Sequence, residues 1–157
     1  MEACARAPRE LRHVQDAGFR RRRDAALLAL VYGTGLRRAE AVALDLEDAG
    51  ESGEVPVRRG KGRKPRLAAL PDSARPALED WLQVRGREPV PLFCPVRKNG
   101  ALVRDPQGQL QRLSGSAVWA ITGERSIKAG VQRAAPHDLR RTWTGDLLRI
   151  AEDEVVS

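Results

Sequence analysis

The chain has 157 residues, 41% of them hydrophobic but only 4% aromatic, which fits one domain with a core of Leu, Val and Ala. Its 28 basic and 21 acidic residues give a net charge of +7, a balance that points to a polyanion as partner. Two unpatterned cysteines, Cys4 and Cys94, and two histidines, His13 and His137, argue against a disulfide framework or a protein-built metal site. No apolar run is long enough to cross a bilayer and no leader is visible, so no membrane partner and a cytoplasmic location are expected.

Residues 1–23 are polar, end in Arg20-Arg21-Arg22-Arg23, and read as a basic N-terminal stub or linker. Asp24 is placed to cap a helix over Ala25–Tyr32, with Gly33 as its stop. Thr34 is placed to cap a second helix from about Arg37 to Leu44, with Val42 inward, and Leu46–Gly53 reads as an acidic turn. Val55–Arg59 and Pro65–Leu70 flank Gly60-Lys61-Gly62-Arg63-Lys64 and predict a β-hairpin, in which Pro56 demands an edge or an irregularity.

Asp72 should cap a helix that carries Leu78, Trp81 and Leu82 and stops near Gly86. Leu92–Val103 reads as a short strand pair around Asn99-Gly100, and Asp105–Leu113 as loop. Ser114 or Ser116 starts a helix to about Ala129, closed by Gly130. The last element opens at His137 or Asp138, with Leu139, Trp143, Leu147 and Ile150 on one stripe. Tyr32 is read as a core residue, and Trp81, Trp119 and Trp143 all as members of helical stripes. The fold class is α+β, mostly α, with a small antiparallel sheet or hairpin beside a helical core.

Three groups of residues carry chemistry. Arg37 follows Gly-Thr-Gly in a first helical turn, where the helix dipole disfavours a cation. Glu40, three residues on, can pair with it and fix the fork that grips two phosphate oxygens. His137 and Arg140 share one face of a helix start; one can exchange a proton near neutral pH and the other can offset charge on a phosphoryl group. Arg58, Arg59, Lys61, Arg63, Lys64 and Arg66 place six cations within nine residues, a glycine-flexible finger suited to a line of phosphates. Lys61, between two glycines, can approach a ligand closely and donate a proton to a leaving alkoxide.

The order Gly-Leu-Arg-Arg-Ala-Glu, Gly-Lys-Gly-Arg-Lys, His-Asp-Leu-Arg-Arg-Thr resembles the catalytic domain of the tyrosine recombinase (phage integrase) family over roughly residues 20–157. The resemblance implies that Arg37 and Arg140 hold the scissile phosphate with Glu40 behind Arg37. It further implies that Lys61, with Lys64 as the alternative, assists the leaving group and that His137 aids proton transfer. Such enzymes join DNA through a 3′-phosphotyrosyl link and need neither metal nor nucleotide cofactor, because the covalent intermediate conserves the bond energy.

The family's pattern continues with a Gly-His or tryptophan element and then the nucleophilic tyrosine, and this sequence matches neither; its single tyrosine, Tyr32, precedes Arg37. The expectation is a domain over residues 24–157, truncated at its C-terminus, that binds duplex DNA but cannot cut it alone. Self-association, or a full-length recombinase, is the expected protein partner. Two other readings compete: a non-catalytic DNA-binding regulator and a basic RNA-associated protein.

Overall fold

Arginine and alanine both favour helix, and the first helix uses both. In the computed structural model, which describes residues 9–50, 52–58, 64–130, 132–135 and 137, α1 spans Arg9–Thr34. It therefore begins well before Asp24, where the sequence predicts the start. Asp24 is not a cap. Its carboxylate is buried within the helix and takes Arg23 on Oδ1 (2.9 and 3.0 Å) and Arg125 on Oδ2 (2.6 and 2.8 Å). Two arginines of the basic run also turn inward: Arg20 donates to the Val96 carbonyl (3.0 Å) and Arg23 to that of Cys94 (3.4 Å). Side chains that read as solvated charge thus extend the helix by binding the loop beside it.

The stop is Gly35, not Gly33. Gly35 has φ of 67° and its amide donates to the Val31 carbonyl (3.1 Å), the left-handed closure that glycine permits. Gly33 lies inside the helix for a different reason: a Cβ there would come 2.7 Å from Pro71 Cγ. The Thr34 hydroxyl donates back to the Leu30 carbonyl (2.6 Å) and does not cap a second helix.

Next come α2 (Arg38–Val42), a 3-10 turn (Leu46–Ala49), and the antiparallel pair β1 (Glu54–Val57) and β2 (Arg66–Ala69). The hairpin forms as expected, one or two residues shorter on each strand, with Pro56 opposite Leu67. Among the described residues this sheet has two strands, so each is an edge that tolerates the proline.

α3 (Arg75–Arg85) starts after Ala74 instead of Asp72, puts Pro76 in its first turn, and ends at Gly86 with φ of 80°. Leu92–Val103 does not form a strand pair. Pro95, which has no amide hydrogen, interrupts it, and a single bridge, Val96–Leu102, remains around the tight turn closed at Gly100; a second bridge, Arg104–Leu110, encloses the next turn, closed at Gly108. α4 (Gly115–Lys128) matches the reading closely: the Ser114 hydroxyl accepts from the Ala117 amide (3.1 Å), and Gly130 follows its end with φ of 75°.

The core lies where α1 crosses α3. Leu27, Leu30 and Val31 of α1 meet Leu78 and Trp81 of α3, with Leu92 and Phe93 beneath. Trp81 is fully buried, and its indole N–H donates to the Leu92 carbonyl (2.9 Å). One aromatic expectation fails: Tyr32 is 42% exposed on α1. Trp119 lies on α4 as expected but is 47% exposed, and the Arg133 guanidinium lies 4.6 Å from its ring centroid. Helical periodicity marks a stripe but does not say how far round the helix the core reaches. The stripe Leu139, Trp143, Leu147, Ile150 lies outside the described residues. Among the described residues no helix is long and apolar enough to cross a membrane, and no cluster of ligating side chains is arranged to hold a metal ion.

Candidate nucleic-acid interface

Arg37 occupies the position just before α2, in extended conformation (φ −72°, ψ 155°). Glu40, in the first turn, reaches back. Its Oε2 accepts from the Arg37 amide (2.7 Å) and its Oε1 from Arg37 Nη1 (3.3 Å). One carboxylate thereby satisfies an orphan helix amide and orients the guanidinium beside it. The Glu40 side chain is 4% exposed and that of Arg37 is 35% exposed. The acid is thus sequestered, while the arginine keeps a face toward solvent. A guanidinium carries five N–H donors, and Glu40 takes one of Arg37's, leaving the fork able to meet an oxyanion.

The helix that carries Glu40 has five residues, too few to hold itself. It is fixed from outside. The Arg38 side chain lies across Gly115 at the start of α4, where a Cβ would come 3.3 Å from its Nε. Arg112, in the segment before α4, donates from Nη1 to the carbonyls of Val42 (2.8 Å) and Leu44 (3.0 Å) and pairs through Nη2 with Asp45 (2.5 Å). These bonds satisfy carbonyls at the end of α2 that the helix itself leaves open. Arg112 carries no signal in the sequence, because its partners lie some seventy residues away.

The hairpin reaches the same place. Arg66, the first residue of β2, donates from Nη2 to Glu40 Oε2 (3.2 Å). Arg58, just after β1, forks onto Asp48 with contacts of 2.7 and 2.5 Å, and Glu47 lies 3.6 Å away. The hydrogen bond to Asp48, helped by that residue's charge, raises the Arg58 pKa further above its already high ordinary value. Asp48 is 2% exposed. Both strands are therefore anchored to buried carboxylates of the segment that begins at Arg37.

Of the candidate residues named from the sequence, Arg37, Glu40 and Arg66 come together in one cluster, and Arg58 stands beside it on Asp48. Lys64 is exposed, and His137 is exposed and helical. Arg59, Lys61, Arg63 and Arg140 lie outside the described residues, so the pairing of Arg37 with Arg140 stands as an expectation.

This fold is the one seen in tyrosine recombinase catalytic domains. The crystal structure of XerA recombinase superposes with a TM-score of 0.67 at 22% identity, covering 92% of this chain and 50% of that one. That of XerH site-specific recombinase, bound to a palindromic difH substrate in a post-cleavage complex, gives 0.64 at 25% identity, covering 87% of this chain and 37% of that one. The chain belongs to the phage integrase family, whose profile matches residues 9–154. It is 35% identical over 129 residues to tyrosine recombinase XerC of Corynebacterium glutamicum, covering 80% of this chain and 38% of that protein. Against tyrosine recombinase XerD of Mycobacterium tuberculosis it is 36% identical over 132 residues, covering 83% and 41%. The chain thus spans about two fifths of the length of the curated relatives it matches.

Proposed function

We infer that this chain grips duplex DNA as the catalytic-domain portion of a site-specific tyrosine recombinase. The observation that carries this reading is the Arg37–Glu40 pair: a partly exposed guanidinium, oriented by a sequestered carboxylate, at the start of a short helix braced by Arg112 and by the hairpin. In this reading Arg37 and Arg140 clamp one backbone phosphate, and His137 moves a proton at the attacking oxygen. Lys61, or Lys64 in its stead, protonates the departing 5′ oxygen. Arg59, Arg63 and Lys64 lie along the neighbouring phosphates. The rate advantage comes from donors already in place where charge develops on phosphorus, and no metal or nucleotide enters the scheme.

Tyr32 stands on α1, ahead of Arg37 in the chain, and has no part in bond breaking here. A tyrosine supplied from elsewhere attacks phosphorus, and the 3′-phosphotyrosyl bond forms as the 5′ oxygen leaves. The residues gathered here hold the phosphate and move protons; the attacking tyrosine is not among them.

Fluorescence anisotropy with a labelled 30-base-pair duplex, titrated over a series of KCl concentrations, tests the reading. Affinity should fall steeply with salt, and Arg37→Ala should lower it and flatten the logarithmic salt slope by about one. Equal affinity for a structured RNA would overturn the reading in favour of an RNA-associated protein. A nicked suicide duplex, run on a denaturing protein gel, should give no covalent adduct.

A further inference from the structure

We propose that Arg66 is a positioning residue: through the shared Glu40 carboxylate it sets where the Arg37 guanidinium stands relative to the cationic hairpin. The proposal rests on the reading that Arg37 meets a DNA phosphate, and it assigns Arg66 a different part from the direct DNA contact that its place in the basic run suggests.

A single arginine would balance Glu40, and Arg37 is already there. The second cation on the same buried acid is what needs a reason. Glu40 Oε2 serves two donors at once, the Arg37 amide at 2.7 Å and Arg66 Nη2 at 3.2 Å, while Oε1 takes the Arg37 guanidinium at 3.3 Å. With Oε2 held from two directions, the carboxylate cannot turn about its last bond without losing one of them. Oε1, and the fork bound to it, are then fixed as well. Removing Arg66 leaves Oε2 to the Arg37 amide alone, so the carboxylate is held less firmly and Arg37 loses part of its bearing without losing its partner.

The far end of the same loop is treated likewise, since Arg58 is forked onto Asp48. Arg58 after β1 and Arg66 at the start of β2 are thus both referenced to acids of the Arg37 segment, and Arg66 is the one that touches Arg37's own acid.

The test is a mutant cycle on duplex affinity, read by anisotropy with the 30-base-pair probe across KCl concentrations. Arg37→Ala should cost about tenfold and about one unit of salt slope. Arg66→Ala should give a loss of the same kind in the wild-type background and no further loss in the Arg37→Ala or Glu40→Gln backgrounds. Additive losses, with a second unit of slope removed by Arg66→Ala, would make Arg66 a phosphate contact in its own right and overturn the proposal. Should Arg66→Ala fail to melt cooperatively, Arg66→Gln is read in its place.

If Arg37→Ala changes neither affinity nor slope, the DNA reading of Arg37 falls. The positioning claim is then decided separately by the 15N–1H resonance of Arg37 Nε in the DNA-free protein. That resonance should move on Arg66→Ala, and an unmoved resonance refutes the proposal.

Discussion

The crossing of α1 with α3 and the segment from α2 to the hairpin are held by opposite means. At the crossing, Leu27, Leu30, Val31, Leu78 and Trp81 are packed almost without exposure. Around Arg37 the elements are a five-residue helix and two four-residue strands. What fixes them is a set of arginines on buried carboxylates: Arg37 and Arg66 on Glu40, and Arg58 on Asp48, with Arg112 on the carbonyls of Val42 and Leu44. Apolar burial is strong but indifferent to direction, whereas charge-assisted hydrogen bonds are modest in net energy but fix geometry. The molecule's stability therefore resides mainly at the crossing and its aim mainly at the cluster.

Breaking the crossing should cost most. Trp81→Ala empties a fully buried site and strands the Leu92 carbonyl; we expect a loss of about 3–5 kcal/mol in denaturant melts. Asp24→Ala leaves Arg23 buried without its acid and unties α1 from α4, for about 3 kcal/mol by the same measurement. Gly33→Ala, which drives a methyl group against Pro71, should cost about 1–3 kcal/mol.

Arg112→Ala sharpens the contrast from the other side. It should change stability by less than about 1 kcal/mol yet weaken duplex binding, because it loosens the end of α2 without opening the core. An equal effect on melt and binding would contradict the division between crossing and cluster.

The smallest effect concerns Cys94, whose thiol burial pushes above its ordinary value of 9.0. A raised folded value means that the neutral thiol favours folding below about pH 9, and that this contribution is lost as pH climbs past it. In the native protein Cys94 should resist alkylation at pH 8, as followed by mass spectrometry of its peptide, until denaturant is added.

Much of the architecture was legible from local chemistry. Ser114 and Gly130 bracket α4 because capping and left-handed closure are decided by single residues. The hairpin was legible from two β-prone runs around Gly-Lys-Gly. The pairing of Arg37 with Glu40 was legible because three residues make about one helical turn. What escaped depends on distant partners. α1 extends through the arginine run because Arg20 and Arg23 find carbonyls more than seventy residues on. Arg112 and Arg66 act on α2 across 70 and 26 residues. Tyr32 misled because a stripe on a helix says nothing about what lies opposite it.

The two described tryptophans differ enough to serve as separate optical reporters. Trp81, fully enclosed with its N–H on a carbonyl, should emit at short wavelength and ignore iodide, whereas Trp119, half open beneath Arg133, should emit further to the red and be quenched. With Trp143 replaced by Phe, the ratio of the two signals would give a label-free record of whether any partner comes to rest on the outer side of α4, independent of how tightly the interior is packed.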